Sequence, residues 1–266
     1  MPVLETQEVR LYYEVTGSGP AVVCAHGGGG DSAQWRHQIA PLSARYRVIV
    51  YDARGHGRSS VPEGPYSMRL LVDDLRRLLD HLGIKRAVIL GATLGGVTAI
   101  ELALAEPETV HGLVLVTTVP DTTDEMRERF AASAAVAEEQ GLEAFAEAYA
   151  AMIFTAAYHE RAPQEVEEWK MRMQRLDPAG YARVIRALGD RPDLSPRLSA
   201  IRVPTLIVVG AEDTIPTSHP AAEALRTGIP DARLEVVNGA AHLPFIEQPE
   251  AFNAMMLQFL DGMRPW

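Results

Sequence analysis

Short runs of consecutive apolar residues recur along the chain and are separated by segments with helical spacing. Apolar runs without polar alternation are typical of strands buried on both faces of a parallel sheet. The segment from Val3 to Val15 alternates instead, which predicts an antiparallel hairpin that ends at Gly17. The buried strands are predicted at Ala21–Ala25, Val48–Tyr51, Ala87–Leu90, Leu113–Val116, Pro204–Val209 and Leu234–Val237.

Two helices are clear from their apolar stripes. Ser67 is a suitable N-cap for the first, whose leucines recur at helical spacing until Gly83. The second begins at Pro249, a residue favoured in the first turn, and continues with the same spacing. Strands that alternate with helices predict an α/β fold with a mostly parallel, doubly wound sheet.

The region from residue 121 to residue 195 lacks strand patterns and carries aromatic residues at helical spacing. We predict about four helices here, inserted as a lid over a core domain formed by residues 1–120 and 196–266. Packing on the core accounts for most of the apolar side chains of this region. The candidates for contact with a substrate are Met152, Phe154, Trp169 and Met173, and Arg172 or Arg175 could bind a substrate carboxylate.

Composition and charge exclude several classes of function. Hydrophobic residues make up 47% and charged residues 23% of the 266, as in ordinary globular proteins, and the net charge is -10. Nucleic acids and anionic membrane surfaces attract basic proteins, so neither is expected as a partner. Because the sequence has neither a signal peptide nor a membrane-spanning run, we expect a cytoplasmic protein. A homodimer is compatible with the sequence.

The stretch from Val88 to Gly96 has the strongest chemical pattern. A buried strand ends at Gly91, helical spacing starts at Leu94, and Gly-x-Thr-x-Gly lies between them. Such a strand–turn–helix forces its central residue toward positive φ and exposes the side chain above the sheet, where a nucleophilic serine normally stands. The glycines are needed because strand and helix approach too closely for a Cβ atom. The predicted nucleophile is therefore Thr93.

Threonine is unfavourable at such a turn, because a β-branched residue at positive φ crowds the backbone. Its hydroxyl is also a more hindered alcohol than that of serine. Three interpretations of Thr93 compete: a working threonine nucleophile, a site that has been turned to a reaction other than hydrolysis, or a substitution introduced to slow the enzyme.

Two further polar residues follow the ends of predicted strands. Asp213 comes after Gly210 and His242 after Gly239, so the chain order is nucleophile, acid, base. A hydroxyl is a weak nucleophile unless a base accepts its proton, and the imidazole needs a carboxylate that fixes its orientation. Asp121 is a weaker candidate for the acid. Glu212 is weaker still, and no histidine spacing predicts a metal site or a cofactor.

Four glycines follow His26 directly. A phosphate-binding loop is disfavoured, because no Gly-Lys-Ser/Thr follows them. The glycines instead predict an oxyanion loop, in which the N–H groups of Gly28 and Leu94 face a developing alkoxide. Gly27 lies beside them and is a further candidate for contact with the substrate.

These motifs carry a family resemblance. The chain resembles the α/β-hydrolase superfamily along its whole length, and within it the 3-oxoadipate enol-lactonases and related small esterases. The resemblance rests on His26–Gly28, Tyr51–Ser59, the turn at Thr93, Gly210–Asp213, Gly239–Pro244, Glu247–Asn253 and, in the lid, Asp177–Ala182. In the family the loop with Arg54, His56 and Arg58 is largely architectural, and the nucleophile is serine where this chain has Thr93.

The resemblance implies an α/β-hydrolase fold with an inserted helical lid and activity on a small ester or enol-lactone. Thr93 would attack, His242 would act as base and then as acid, and Asp213 would orient it. One alternative is a cofactor-free lyase, cyclase or oxygenase that uses the His–Asp pair without acylation. Others are a catalytically weakened serine-to-threonine form and a ligand-binding protein without activity.

Overall fold

Eight strands form one sheet in the computed structural model, which describes residues 2–263. The strand order is β1-β2-β4-β3-β5-β6-β7-β8, and every neighbouring pair from β4 to β8 is parallel. The antiparallel part is confined to β1 and β2, as the alternating segment predicts. The strands are β1 (Val3–Glu5), β2 (Arg10–Thr16), β3 (Ala21–Ala25), β4 (Arg47–Tyr51), β5 (Ala87–Ala92), β6 (Val110–Val116), β7 (Thr205–Gly210) and β8 (Ala232–Val237).

Helices connect the strands and cover both faces of the sheet. Outside the region between β6 and β7 they are α1 (Arg36–Ser43), α2 (Met68–His81), α3 (Leu94–Ala105), α9 (Ser218–Gly228), α10 (Pro244–Glu247) and α11 (Pro249–Gly262). Between β6 and β7 lie α4 (Asp124–Gln140), α5 (Glu143–Ile153), α6 (Ala156–Arg161), α7 (Pro163–Gln174) and α8 (Pro178–Gly189). We call α4–α8 the helical segment. No helix in residues 2–263 is both long enough and apolar enough to cross a lipid bilayer.

The helical segment has five helices among the described residues, whereas the sequence pattern predicts about four. The additional helix is α6, which has only six residues and is too short to produce a visible periodicity. Thr155 caps its first turn, and Pro163 opens the next helix. The helix predicted after Ser67 and the one predicted from Pro249 are confirmed as α2 and α11.

Two apolar clusters lie on opposite faces of the sheet, because successive side chains of a strand point to opposite sides. In β3, Val23 packs with the cluster that includes α2 and α3, and Cys24 with the cluster that includes α1 and α11. Burial on both faces explains why the central strands read as continuous apolar runs.

The carboxyl ends of the parallel strands meet at one edge of this doubly wound sheet, which is where such folds bind ligands. The loops that follow β3, β5, β7 and β8 therefore converge. They carry the glycine loop, Thr93, Asp213 and His242 respectively.

Candidate active site

The turn between β5 and α3 holds Thr93 in a strained conformation. Its φ is 46° and its ψ is -106°, which confirms the predicted positive φ and is costly for a β-branched residue. A Cβ atom on Gly91 would meet the Gly95 carbonyl, and one on Gly95 would meet the Ala25 carbonyl. Both glycines are therefore required by the close approach of strand and helix, and together they force the residue between them out above the sheet.

Asp213 and His242 form a hydrogen-bonded pair. The Nδ1–H of His242 donates to Oδ2 of Asp213 over 2.8 Å, and the N–H of Ile215 donates to Oδ1 over 3.0 Å. Burial alone would raise the pKa of Asp213, but the hydrogen bond from His242 and its charge lower it below the usual value. An ionised carboxylate only accepts hydrogen bonds, so Nδ1 of His242 carries the proton and Nε2 is left as the basic nitrogen.

The hydroxyl of Thr93 does not join this pair directly. Among the described residues no hydrogen bond connects Oγ1 of Thr93 with His242. The oxygen lies instead against Gly27, where a Cβ atom would come within 2.7 Å of it. A β-branched side chain has few accessible χ1 rotamers, so the hydroxyl is held on the side of the glycine loop.

Five hydrogen bonds that sequence analysis missed hold the loop around His242. The hydroxyl of Thr117, a second threonine at positive φ (45°), donates to the His242 carbonyl over 3.1 Å. The N–H of His242 donates to the carbonyl of Ile153 at the end of α5, over 3.1 Å. The buried carboxylate of Glu247 accepts from Ala241 N–H over 2.7 Å and from the N–H and hydroxyl of Thr155. Of the residues that make these bonds, Thr117 alone has a position in the sequence that could have indicated a role, because it directly follows a predicted strand.

The predicted oxyanion donors lie at the first turn of α3 and in the glycine loop. The N–H groups of Thr93 and Gly95 are bonded to the carbonyls of Val116 and His26, at 3.0 and 3.1 Å. The N–H of Leu94 is the first of α3 and has no acceptor within the helix. Gly28 lines the same cavity as Thr93. The positive end of α3 adds to the attraction of this corner for negative charge.

A cavity of about 370 Å³ opens above Thr93 and His242 and is large enough for a small substrate. Met152 lines it, together with residues of α4 and α8. Phe154, Trp169 and Met173 are not among the lining residues; they belong to one buried apolar cluster. Trp169 and Met173 lie beside the glycine loop, where a Cβ atom on Gly29 would be 3.5 Å from each of them. The sequence pattern predicts that these side chains are buried, but it does not show which of them border a cavity and which pack in the apolar core.

The charged lining of the cavity is cationic. Among the described residues, the charged side chains around it are Arg129 and Arg191, with no aspartate or glutamate. The guanidinium of Arg191 is buried, and Nη2 donates to the carbonyls of Val119 and Asp121, at 2.8 and 2.6 Å. Its Nε has no hydrogen-bond partner among residues 2–263. Burial lowers the pKa of Arg191 to about 10, so the side chain stays charged at neutral pH.

The arginines that the sequence pattern suggested for a carboxylate lie elsewhere. Arg172 is outside the lining residues and forms an ion pair of 3.9 Å with Glu168, and Arg175 is exposed. Within the described part of the chain, no three His, Cys, Asp or Glu side chains are grouped so that they could hold a metal ion.

Comparison with known proteins gives matches along almost the whole chain. The family described as "alpha/beta hydrolase fold" matches residues 20–249. The 3-oxoadipate enol-lactonase 2 of Acinetobacter baylyi is 35% identical over 252 residues, which cover 94% of this chain and 92% of that protein.

Solved structures agree with this match. An esterase of Thermogutta terrifontis superposes with a TM-score of 0.93 at 29% identity and covers 98% of both chains. The enol-lactonase of Burkholderia xenovorans LB400 gives a TM-score of 0.92 at 31% identity, and the alignment covers 98% of this chain and 100% of that chain.

Proposed function

The chain belongs to the α/β-hydrolase fold family, and on this premise we propose that it hydrolyses a small carboxylic ester or lactone through Thr93, His242 and Asp213. It is an enzyme of the esterase and lactonase type, similar to named hydrolases in sequence and in structure. The observation that carries the proposal is the ionised Asp213 bonded to Nδ1 of His242, beside a strained, cavity-facing Thr93.

In the proposed reaction, Oγ1 of Thr93 attacks the substrate carbonyl while Nε2 of His242 takes the hydroxyl proton. The carbonyl oxygen becomes an alkoxide that accepts hydrogen bonds from the N–H groups of Gly28 and Leu94. Collapse of this intermediate breaks the bond to the leaving oxygen, which receives the proton from His242. In a lactone that oxygen stays attached to the acyl group, so the ring opens.

Water completes the cycle. His242 accepts a proton from a water molecule, whose oxygen attacks the acyl-threonine, and the second intermediate collapses to the free acid and the Thr93 hydroxyl. Asp213 stays ionised and stabilises the imidazolium in both halves of the reaction. The proton balance closes, because each proton taken by His242 is given to a leaving oxygen.

We further propose that the substrate carries a carboxylate. The chain has a net charge of -10, yet in the part of the chain that the structure describes the charged residues around the cavity are two arginines. The Nε–H of buried Arg191 has no partner in residues 2–263, and a buried donor without an acceptor costs about 1–3 kcal/mol. A ligand carboxylate in the cavity would balance the positive charge of the two guanidinium groups. The name of the Acinetobacter relative, a 3-oxoadipate enol-lactonase, is in keeping with such a substrate.

One observation favours a second candidate function. The absence of a hydrogen bond between Thr93 and His242 among the described residues suits a reaction in which His242 removes a proton from the substrate itself. The enzyme would then be a cofactor-free lyase, cyclase or oxygenase in which Thr93 only shapes the pocket. The first function predicts an acyl-threonine and the second does not.

The two functions are separated by covalent labelling. A fluorophosphonate and an activated ester are each incubated with the wild-type protein and with Thr93→Ala, and tryptic peptides are analysed by mass spectrometry. We expect an adduct on the peptide that contains Thr93 in the wild type and its absence in the variant. Turnover of an ester without any adduct on that peptide, under conditions that trap serine hydrolases, would contradict acylation at Thr93.

A further inference from the structure

Two buried histidines that the proposed mechanism does not use lie beneath the glycine loop. His26 is 2% exposed and His56 is 1% exposed, and their ring centres are 5.1 Å apart. Burial lowers the pKa of both imidazoles, that of His56 to about 4. Both rings are therefore neutral at pH 7, and each has one donor and one acceptor nitrogen.

The hydrogen bonds fix the tautomer of each ring. The N–H of Ala53 donates to Nε2 of His26 over 2.9 Å, so the proton of His26 is on Nδ1, which donates to the Gly27 carbonyl over 2.8 Å. Nε2 of His56 is 2.7 Å from the Gly28 carbonyl and Nδ1 is 3.3 Å from the Arg54 carbonyl. A neutral ring donates from one nitrogen only, and the shorter contact assigns the proton to Nε2. The two histidines thus donate to the carbonyls of two successive glycines.

These carbonyls determine where the next N–H group points. In a trans peptide the C=O and N–H point in opposite directions, so fixing the Gly27 carbonyl fixes the direction of the Gly28 N–H. The Gly30 N–H donates to the same carbonyl over 3.1 Å, and the side chain of Gln34 accepts from the Gly27 N–H over 3.1 Å. Glycines have no side chains to pack and wide backbone freedom, so the loop depends on these hydrogen bonds for its shape.

The motif around His56 is built to hold that ring in place. Arg54 binds Asp74 of α2 with two hydrogen bonds of 2.6 and 2.7 Å, in a pair that is almost fully buried. The carboxylate of Asp52 accepts from the backbone N–H groups of Ser32 and Arg58, both at 2.8 Å. These bonds anchor both sides of the turn, so His56 reaches the glycine loop from a rigid support.

We infer that His26 and His56 are positioning residues that fix Gly28 from both sides, so that its N–H faces the carbonyl oxygen of the bound ester. His26 holds the Gly27–Gly28 peptide, which carries this N–H, and His56 holds the following peptide through the Gly28 carbonyl. The inference rests on the proposed function, because it assigns the Gly28 N–H to the oxyanion. Loss of either imidazole lets the peptide rotate, which weakens binding of the transition state more than binding of the ground state.

The kinetic test compares removal of each donor with its conservative replacement. His26→Leu and His56→Leu remove the donors, whereas in His26→Asn and His56→Gln an amide N–H stands close to the position of the donating ring nitrogen. We expect kcat for p-nitrophenyl acetate to fall roughly 10- to 100-fold in the leucine variants, with KM changed by less than about twofold. The amide variants should recover at least about tenfold of that loss. His81→Gln, on an exposed histidine that contacts Tyr13, is the matched control and should keep the wild-type kcat.

A second measurement does not depend on turnover. In protein labelled with ¹⁵N-glycine, the Gly28 amide is expected to give one sharp resonance in the wild type and in the amide variants, and a shifted or broadened one in the leucine variants. An unchanged Gly28 resonance in folded leucine variants, or a loss seen in KM alone, would overturn the inference. If the leucine variants do not fold, His26→Ala and His56→Ala take their place. A Gly28 resonance that shifts together with a fall in kcat supports the inference, and a wild-type kcat or an unshifted resonance in these variants opposes it. Failure of the proposed function would appear separately, as absence of turnover in both the wild type and Thr93→Ser.

Discussion

Replacement of Thr93 by serine is expected to raise ester and lactone hydrolysis roughly 10- to 100-fold. The threonine sits at φ 46°, and its Oγ1 lies against Gly27 without a hydrogen bond to His242 among the described residues. Serine keeps this oxygen and removes only the γ-methyl group. The crowding at positive φ is then relieved, and χ1 is free to turn the hydroxyl toward Nε2 of His242.

The size of the effect follows from these two changes. A hydrogen bond gained between the hydroxyl and the imidazole contributes about 0.5–1.5 kcal/mol net. Correcting a misplacement of the attacking atom by ~1 Å accounts for up to about 10²-fold in rate. A barrier lower by ~1.4–2.7 kcal/mol corresponds to the expected range. Deacylation gains as well, because the methyl group also hinders the attacking water.

The assay measures kcat/KM for short p-nitrophenyl esters and simple lactones with threonine, serine and alanine at position 93. Alanine is expected to reduce turnover to background, since it lacks the oxygen but keeps the surrounding fold. Equal, background-level rates for all three proteins would refute hydrolysis at this site. A rate with alanine that equals the rate with threonine would show that Thr93 does not acylate.

Three further predictions concern the base, the charge of the cavity and the acid stability. His242→Ala is expected to abolish turnover, and Asp213→Asn to lower kcat about 10⁴-fold, both measured with the ester panel. Arg191→Leu should lower kcat/KM for mono-p-nitrophenyl glutarate about 10- to 100-fold relative to p-nitrophenyl pentanoate, and the exposed Arg129→Gln only a few-fold. The pKa of His56 is about 4 when folded and 6.5 ordinarily, so the unfolded chain binds the proton first and stability falls as pH drops from 6.5 to 4. Chemical unfolding measured between pH 6.5 and pH 4 should show that the wild type loses on the order of 3 kcal/mol more of its free energy of unfolding than His56→Gln does.

Each of these predictions has a control or a contrary outcome. Asp121→Asn is the control for the acid, because in the described part of the chain Asp121 is only partly buried and the carboxylate bonded to His242 is that of Asp213. An inactive Asp121 variant beside an active Asp213 variant would reverse the assignment. Arg175→Gln is the control for charge, because Arg175 is exposed and outside the cavity lining. If Arg191→Leu and Arg129→Gln both keep the wild-type ratio of kcat/KM for the glutarate and the pentanoate, the proposal that the substrate carries a carboxylate is wrong. If the free energy of unfolding changes with pH in the same way in the wild type and in His56→Gln, His56 does not titrate as predicted.

The sequence predicts the parts of the fold and site that depend on local pattern. Thr93 could be found because glycine spacing and a strand–helix boundary mark the turn, and Asp213 and His242 because each follows the end of an apolar run. The carboxyl ends of parallel strands lie at one edge, so residues far apart in sequence are brought together without any knowledge of packing.

The cavity wall could not be predicted in this way, because it is made by helices that pack on one another. Met152 lies on the wall and Phe154, two residues later, lies in the apolar core, since α5 ends at Ile153 and the chain turns there. The positive φ of Thr117 has no counterpart in the sequence pattern. Neither has Arg191, which is buried although arginine is usually exposed.

The hydrogen bonds between the His242 loop and the junction of α5 and α6 have a consequence for how ligands exchange. Lifting that junction from the sheet would break the bonds from His242 to Ile153 and from Thr155 to Glu247, and would displace the imidazole. In residues 2–263, α4 has no hydrogen bond to the His242 loop and packs mainly on α8. A movement of α4 alone would therefore leave the acid–base pair assembled, and the rate of ligand exchange along such a path would be set independently of the rate of bond cleavage.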